Sequence, residues 1–306
     1  MPLAVRFEEY GDVDVLQVVD VPTPTPGPGE VLVKVVAAGI NPGETAIRSG
    51  IAHAVFPAAF PSGQGSDLSG IIVELGADVA GYTPGDEVIG FTDRRASHAE
   101  YVNVRAEDLI PRPTAVSWNA CGALYIAGTT AYAAVRSVAP SGGDTVVVSA
   151  AAGGVGSIAV QLAAGTGAKV IGLATPANHD WLRAHGAIPV AYGPGTLDRV
   201  RAASEGRVDA FLDLFGDGYV DLALELGVQP SRIDTIIDFA AIAKHGVRFE
   251  GNAAAGTASV LAELTALIAV GRLEIPIAAE YPLTEVRTAF RTLEQRHTHG
   301  KIVLRP

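Results

Sequence analysis

Hydrophobic and polar residues follow two different patterns along this chain. In the first 110 residues, short stretches alternate apolar with polar positions, and turn-forming residues separate them about every ten residues. Among these stretches, residues 3–7, 30–38 and 98–104 are predicted strands. Many short strands with regular turns predict a β-rich barrel or sandwich in this part of the chain.

From residue 145 onward, predicted strands alternate with predicted helices. Strands are expected at 145–149, 169–173, 189–191, 210–214, 232–237 and 246–250, and helices at 158–166, 180–185, 197–203, 220–226 and 258–270. This alternation is typical of a parallel sheet with helices on both faces. The strand-rich pattern returns after residue 271, and the last strand, 300–304, is expected to rejoin the first part of the chain.

Two helix starts are predicted between these regions. Ser117 can cap a helix over 120–125, and Thr129 or Thr130 can cap a second helix that continues through 135.

Charge and cysteine content narrow the class of protein. The 306 residues carry a formal net charge of −11, which argues against nucleic acid or an anionic membrane as partner because both require a basic surface. The single cysteine, Cys121, can form no internal disulfide, and its apolar helical surroundings predict a core residue rather than a nucleophile. No apolar run reaches roughly 18 residues, and acids stand where a signal peptide would be apolar. We expect an acidic cytoplasmic enzyme.

A glycine-containing turn follows the predicted strand 145–149. Ala151, Gly153 and Gly156 occupy the three small-residue positions of the G-x-G-x-x-G pattern, and an apolar helix begins at Ile158. Such a strand–turn–helix unit presents free N–H groups and a partial positive charge to the pyrophosphate of a dinucleotide. By itself the match is weak, since the first glycine is replaced by alanine.

Several separated motifs occur together with this turn. They include Pro26-Gly27-Pro28-Gly29-Glu30, Gly39-Ile40-Asn41-Pro42, Gly65-Ser66-Asp67-Leu68-Ser69-Gly70, Gly85-Asp86-Glu87-Val88, Ala127-Gly128-Thr129-Thr130 and Gly300-Lys301-Ile302-Val303-Leu304. Together they resemble the medium-chain dehydrogenase/reductase superfamily, in particular its zinc-independent NADPH:quinone oxidoreductase branch. The resemblance implies an α/β protein with a GroES-like β-rich catalytic domain over 1–120 and 272–306. It also implies a Rossmann domain, a doubly wound parallel sheet, over 121–271.

The metal ligands of zinc-dependent relatives are missing from this sequence. Those relatives have a cysteine where this chain has Asn41 and Gly-His-Glu where it has Gly65-Ser66-Asp67. Their four-cysteine structural lobe is also missing, and none of the seven histidines forms a ligand-spaced pair with the cysteine. We therefore expect no metal.

The residues after the second Rossmann strand favour NADPH over NADH. An NAD-preferring site usually has a carboxylate there, whereas Ala174 is followed by Thr175, Asn178 and His179. The resemblance implies a lysine in this loop, which His179 replaces, and a tyrosine after the third strand, which Tyr192 matches. Arg183 is a further candidate for the phosphate. Thr175 and Asn178 are equally compatible with ordinary helix capping.

The resemblance also implies the remaining site residues. Asn41 would line the nicotinamide and orient the acceptor oxygen, although it is also an ordinary residue of an Asn-Pro turn. Thr130 would lie near the nicotinamide, although it is also compatible with a helix N-cap. The expected cofactor-binding set is Asn41, Thr130, Ala152, Gly153, Gly154, Val155, Thr175, Asn178, His179, Tyr192, Phe215, Phe239, Ala240 and Asn252.

We expect hydride transfer from NADPH to a small conjugated acceptor, either a quinone or an α,β-unsaturated carbonyl. Two alternatives stay open: an enoyl-thioester reductase of lipid or polyketide assembly, and a non-catalytic NADPH-binding redox sensor. The thioester reading requires a basic patch, for which the sequence offers Arg94, Arg95, Arg291 and Arg296. The resemblance further implies a homodimer, and the net charge of −11 predicts no nucleic-acid or membrane partner.

Overall fold

The computed structural model describes all residues, 1–306, and divides them into two compact units. Unit 1 comprises Met1–Ile126, Thr257–Arg272 and Ile277–Pro306. Unit 2 comprises Ala127–Gly256 and Leu273–Pro276. The predicted domain boundaries stay a prediction, and the units differ from them chiefly by grouping residues 257–271 with unit 1.

The strands and helices are numbered in chain order. The strands are β1 (Leu3–Phe7), β2 (Gln17–Asp20), β3 (Glu30–Gly39), β4 (Ser62–Gly63), β5 (Asp67–Leu75), β6 (Glu87–Phe91), β7 (Tyr101–Arg105), β8 (Leu109–Pro111), β9 (Thr145–Val148), β10 (Lys169–Leu173), β11 (Ala187–Val190), β12 (Ala210–Asp213), β13 (Ile233–Thr235), β14 (Ile277–Pro282) and β15 (Lys301–Arg305). The α-helices are α1 (Pro42–Arg48), α2 (Trp118–Gly122), α3 (Tyr125–Val138), α4 (Gly156–Gly165), α5 (His179–Ala184), α6 (Thr196–Ala203), α7 (Tyr219–Glu225), α8 (Phe239–His245), α9 (Asn252–Ala255), α10 (Ala258–Ala269) and α11 (Val286–Glu294). Short 3₁₀ turns lie at Val13–Val15, Ala106–Asp108, Pro176–Asn178, Pro230–Arg232 and Leu283–Glu285.

Unit 1 is built around the long strand β3. In its seven-stranded sheet the order is β14-β15-β3-β5-β6-β8, with β7 also paired to β3. A three-stranded sheet, β2-β1-β4, accompanies it. Because β15 pairs with β3, the end of the chain returns to the strands near its beginning, as the sequence predicted.

Unit 2 contains a five-stranded parallel sheet in the order β11-β10-β9-β12-β13. The chain runs outward from β9 to β11 on one side and then continues with β12 and β13 on the other. The strand order therefore reverses between β9 and β12, which is where ligands bind in open α/β sheets. The core of this unit gathers Val147, Ile171, Phe211 and Ile233 from the strands, all fully buried.

The predicted strand 246–250 is wrong. Only one backbone bridge joins Arg248 to Asp234, and Gly246 before it adopts a left-handed conformation. The Asp234 carboxylate accepts the N–H of Glu250 at 2.9 Å, so a side chain takes the place of a strand partner. The segment is held against β13 without extending the sheet.

The predicted strand 232–237 is shorter than expected for a similar reason. Strand β13 ends at Thr235, whose hydroxyl oxygen accepts the N–H groups of Ile237 and Asp238 at 3.3 and 3.0 Å. A side chain that captures these donors turns the backbone away from the sheet.

One predicted helix cap is confirmed and the other is wrong. The Ser117 side chain accepts the N–H of Ala120 and caps α2. Helix α3, however, begins at Tyr125, so Thr129 and Thr130 lie inside it. The first turn of α3 receives its acceptor from outside the helix, because the Asp67 carboxylate accepts the N–H of Ile126 at 2.9 Å.

None of the helices is both long and apolar enough to cross a lipid bilayer.

A buried arginine joins α1 to α11 in unit 1. Arg48 is 1% exposed, its Nη2 lies 2.6 Å from Glu294 Oε1, and its guanidinium carbon lies 5.4 Å from the centre of the Phe290 ring. The ion pair therefore combines charge with packing on an aromatic face.

We predict that Arg48→Met lowers the thermal unfolding midpoint by about 4–8 °C, equivalent to about 2 kcal/mol, because it removes the packed cation and leaves Glu294 without its partner. The matched control is Arg291→Met in α11, the helix that carries Glu294, because its ion pair with Asp14 is exposed and contributes at most about 0.5 kcal/mol. Differential scanning calorimetry measures both shifts, and equal shifts would contradict the packing role of Arg48.

Candidate active site

Five polar side chains meet in the interior of unit 1. They come from the end of β3, from α1, from the beginning of β5, from the segment before β7 and from the beginning of β15: Asn41, Glu44, Asp67, His98 and Lys301. All five are buried. We call this group the lysine cluster. Burial of several ionisable groups is costly unless they satisfy one another, so their mutual contacts determine what the cluster can do.

The Lys301 ammonium lies among oxygen atoms. Lys301 is 4% exposed, and its Nζ donates to the carbonyl oxygen of Ile40 at 2.9 Å and to the side-chain oxygen of Asn41. It lies 3.9 Å from Asp67 Oδ2. Burial lowers the pKa of Lys301, while the charges of Asp67 and Glu44 oppose that shift. The ammonium is the cation that balances the two carboxylates.

Asn41 uses all of its polar atoms within the lysine cluster. Its Nδ2 donates to Glu44 Oε1 at 3.3 Å and to Asp67 Oδ2 at 3.1 Å, and its backbone N–H donates to Glu44 Oε2 at 3.0 Å. The reading of Asn41 as a turn residue is consistent with its place before Pro42 at the start of α1. The predicted contact with an acceptor oxygen stays a prediction, and it would require Asn41 to release one of these hydrogen bonds.

Burial also shifts the pKa values of Glu44, Asp67 and His98, the other ionisable members of the lysine cluster. It raises the pKa of Glu44 to about 7 and that of Asp67 to about 6, against the opposing hydrogen bond from Asn41 and the charge of Lys301. Burial lowers the pKa of His98 to about 4. His98 Nε2 lies 3.2 Å from the carbonyl oxygen of Gly39, so this nitrogen carries the hydrogen in the neutral ring.

The zinc chemistry of related dehydrogenases does not fit these residues. Zinc requires about three thiolate, imidazole or carboxylate ligands that converge on one point. Here the Lys301 ammonium lies beside the carboxylate of Asp67, and His98 Nε2 donates its hydrogen to the carbonyl oxygen of Gly39. No group of three or more His, Cys, Asp or Glu side chains in the chain is arranged to hold a metal ion.

The glycine turn of unit 2 has the geometry expected for a dinucleotide. Ala150 adopts a left-handed conformation at the tight bend after β9. A Cβ on Gly156 would overlap the carbonyl oxygen of Ala150, so this glycine allows α4 to pack closely against the strand. Helix α4 begins at Gly156, directly after Gly154 and Val155, and the N-terminus of a helix is a place where an anion can bind. These residues fit the pyrophosphate of a nicotinamide dinucleotide.

The predicted phosphate loop lies beyond β10. Asn178 Nδ2 donates to Thr175 Oγ1 at 3.3 Å, and His179 Nε2 lies 3.3 Å from the carbonyl oxygen of Ala174. Thr175 and Asn178 occupy the N-cap positions of the two helices that follow them, as the capping alternative predicts, but their side chains make no capping hydrogen bond. Arg183 pairs with Asp180 at 2.6 Å. The loop offers neutral donors and no carboxylate at the end of β10, which fits a 2′-phosphate.

The other predicted cofactor residues are distributed along the same sheet. Tyr192 follows β11 and Phe215 follows β12. Phe239 and Ala240 open α8 rather than following β13 directly, and Phe239 is 65% exposed with its ring 5.1 Å from that of Phe249. Asn252 begins α9 and follows no strand, in contrast to the sequence prediction.

The two predicted catalytic residues lie in different units. Asn41 belongs to unit 1, and Thr130 lies in the part of α3 that belongs to unit 2. Thr130 is buried. Both roles stay predictions.

Sequence reasoning missed Glu44, His98 and Lys301. Glu44 stands three residues after Asn41, which is the spacing of a capping box. Lys301 is a charged residue in an otherwise apolar terminal strand, and a charge on a buried strand usually has a partner. Cys121 is buried as predicted, and burial raises its pKa to about 12.

We predict that the stability of the protein falls as the pH rises from about 6 to 7.5. The raised pKa of Glu44 means that the folded state binds a proton more tightly than the unfolded state between pH 4.5 and about 7. The stability supported by this proton is complete below pH 4.5 and is lost as the pH rises through about 7. Asp67 acts in the same direction between 3.8 and about 6. The lowered pKa of His98 acts in the opposite direction, but only between about 4 and 6.5.

Thermal unfolding across this pH range measures the effect. The wild-type midpoint should fall by about 2–4 °C, equivalent to about 1 kcal/mol, and the fall should be smaller in Glu44→Gln, which cannot titrate. Glu107→Gln, which changes an exposed carboxylate, should keep the wild-type slope. A wild-type slope in Glu44→Gln would contradict the assignment.

Two family models match the chain. The alcohol dehydrogenase GroES-like domain matches residues 27–114, and a zinc-binding dehydrogenase domain matches residues 184–304. Among curated relatives, the spectinabilin polyketide synthase system protein NorB of Streptomyces orinoci is 34% identical over 296 residues, which cover 90% of this chain but only 13% of that protein. The 2-methylene-furan-3-one reductase of Solanum lycopersicum is 28% identical over 314 residues, covering 98% of this chain and 78% of that protein.

Two solved structures are similar over the whole chain. The quinone oxidoreductase from Coxiella burnetii has a TM-score of 0.89 and 32% identity, covering 100% of this chain and 99% of that chain. The Escherichia coli quinone oxidoreductase complexed with NADPH has a TM-score of 0.85 and 26% identity, covering 99% and 100%. The predicted fold class, a GroES-like part with a Rossmann part, is confirmed. The chain belongs to the quinone oxidoreductase-like branch of the medium-chain dehydrogenase/reductase superfamily of oxidoreductases.

Proposed function

We propose that this protein is an NADPH-dependent oxidoreductase that transfers a hydride to a quinone or an α,β-unsaturated carbonyl without a metal. The observation that carries the proposal is the glycine turn, in which Gly156 lets α4 pack against β9 at the point where the strand order reverses. The similarity to the Escherichia coli enzyme crystallised with NADPH supports the choice of cofactor.

The residues of unit 2 would bind and orient the cofactor. The N–H groups at the start of α4 would bind the pyrophosphate, and Thr175 with Asn178 would donate to the 2′-phosphate. When bound, NADPH supplies the hydride, so the protein needs only to hold the acceptor in place and exclude water. Thr130, Tyr192, Phe215, Phe239, Ala240 and Asn252 remain proposed neighbours of the cofactor.

The lysine cluster supports the metal-free part of the proposal. Lys301 Nζ lies 3.9 Å from Asp67 Oδ2, in the segment where zinc-dependent relatives have Gly-His-Glu. The ammonium donates to the side-chain oxygen of Asn41, so this oxygen is not available as a ligand for a Lewis-acid metal ion. Asn41 is thereby presented in one orientation, which suits a residue that would position an acceptor.

The acceptor class is the finer part of the proposal. A quinone and an enone are both planar and conjugated, and the similarity to 2-methylene-furan-3-one reductase supports the enone. A thioester carrier would need free cations for its phosphate, but Arg94 pairs with Glu30 and Arg291 pairs with Asp14. These pairings favour the small acceptor over the enoyl-thioester alternative, despite the similarity to a polyketide synthase protein.

We also propose a cytoplasmic homodimer. The single buried cysteine suits a reducing compartment. Ile237 and Phe239, which follow β13 in the chain, are exposed apolar side chains, and exposed apolar side chains of this kind favour burial against a second copy.

We predict that Gly156→Ala raises the dissociation constant for NADPH by about tenfold or more, because the added methyl group pushes α4 away from β9 and misplaces its N–H groups. The matched control is Gly165→Ala in the same helix, where a Cβ meets open space and binding should be unchanged. Fluorescence titration measures binding.

Turnover is measured in the same samples after dialysis against a chelator, with 1,2-naphthoquinone and a simple enone as acceptors. Wild-type protein should oxidise NADPH with at least one of them. Tight NADPH binding without oxidation by either acceptor would favour the redox-sensor alternative, and activity restored only by zinc would contradict the metal-free mechanism.

We predict that Thr175→Asp reverses the cofactor preference. A carboxylate at this position repels the 2′-phosphate of NADPH and can accept hydrogen bonds from the ribose hydroxyls of NADH. The KM for NADPH should rise by about tenfold or more while that for NADH falls. Thr175→Val removes the hydroxyl without adding charge and should weaken NADPH binding less. A wild-type protein that already prefers NADH would contradict the prediction.

A further inference from the structure

Three buried side chains connect the carboxyl ends of neighbouring strands in unit 2. Ser149 follows β9, Asp213 ends β12 and Thr235 ends β13, and none of the three has any exposed surface. Asp213 and Thr235 are paired in the parallel register of β12 and β13. This aspartate network lies on the two sides of the point where the strand order reverses.

Asp213 accepts four hydrogen bonds within the network. Its Oδ1 accepts from Ser149 Oγ at 3.1 Å, from the N–H of Phe215 at 3.1 Å and from the N–H of Gly216 at 2.9 Å. Its Oδ2 accepts from Thr235 Oγ1 at 2.8 Å. Neutral donors alone satisfy this buried carboxylate, and each of them is fixed in position by doing so.

The hydroxyls of Ser149 and Thr235 in turn fix the backbone of the loops that follow β12 and β13. Ser149 Oγ accepts the N–H of Leu214 at 2.8 Å. Thr235 Oγ1 accepts the N–H groups of Ile237 and Asp238 at 3.3 and 3.0 Å. Because each hydroxyl has a single hydrogen, which it donates to Asp213, its oxygen is free to accept from the backbone.

The direction of these hydrogen bonds requires a carboxylate at position 213. An amide there would present an N–H group either to Thr235 or to the donors that converge on the other oxygen. In both cases a donor faces a donor, and a buried mismatch of this kind is costly. The loop that would lose these hydrogen bonds also contains Asp217, a non-glycine residue in the left-handed conformation, which costs backbone strain.

We propose that Asp213 is a positioning residue for the dinucleotide: it fixes the backbone of 214–216 and 237–238 at the edge of the sheet where the cofactor binds. The inference rests on the proposed function, because it assigns a role within that binding site. Phe215 is on the first of these loops, and Phe239 begins the helix after the second. The glycine turn follows β9 directly, and all these segments leave the same edge of a parallel sheet.

The test is NADPH binding by Asp213→Asn, with Asp144→Asn as the matched control. Asp144 also accepts several hydrogen bonds, from Ser141 and Arg232, but it precedes β9 and therefore lies at the opposite edge of the sheet. Asp213→Asn should raise the dissociation constant and the KM for NADPH by about tenfold or more, with a smaller change in kcat. Asp144→Asn should lower the unfolding midpoint without changing either constant.

The hydroxyl partner provides a second, milder test. Thr235→Val should raise the dissociation constant for NADPH, whereas Thr235→Ser, which keeps the hydroxyl, should restore wild-type binding. If Asp213→Asn does not fold, the comparison of the two Thr235 variants tests the positioning role instead. Wild-type affinity in folded Asp213→Asn, or equal affinities of the two Thr235 variants, would overturn the positioning role. A wild-type protein that binds no NADPH would overturn the proposed function itself.

Discussion

The buried ammonium of Lys301 is the interaction on which the architecture of unit 1 depends. It donates to Ile40 and Asn41 at the end of β3 and lies beside Asp67 at the start of β5, so it joins the last strand of the chain to two of the first. Without it, Glu44 and Asp67 would be two buried carboxylates with no cation, a state that costs several kcal/mol. Because β15 pairs with β3, Lys301 at the start of β15 lies beside the end of β3, and the end of the chain completes a cluster formed by its beginning.

The same interaction supports the proposal that this protein works without the zinc ion of its zinc-dependent relatives. A metal and an ammonium can both neutralise carboxylates, but a metal also offers an open coordination position. Lys301 offers only donated hydrogen bonds, and Asn41 uses all its polar atoms within the lysine cluster. These contacts support the proposal that the protein transfers a hydride from NADPH without a metal. Unit 2 also buries a carboxylate, that of Asp213, but without a cation: hydroxyl and backbone N–H groups donate hydrogen bonds to it.

Much of this could be predicted from the sequence because it depends on local patterns. The glycine turn, the parallel strands 145–149 to 210–214 and the cap at Ser117 follow from spacing and residue type. The errors arose where a distant side chain competes with regular structure. Thr235 ends β13 early by capturing backbone donors, Asp234 holds the segment near Arg248 that would otherwise extend the sheet, and Asp67 sets the start of α3. The partners of Lys301 are more than two hundred residues away in sequence, so no local pattern shows them.

The central claim is that the hydride comes from NADPH without help from a metal. The most direct measurement is pre-steady-state oxidation of NADPH dideuterated at C4, compared with unlabelled NADPH, in protein whose zinc content is determined in the same sample. The account predicts a slower hydride-transfer phase with the deuterated cofactor, at a full amplitude per chain in metal-free protein. An amplitude that rises in proportion to the zinc content would contradict it.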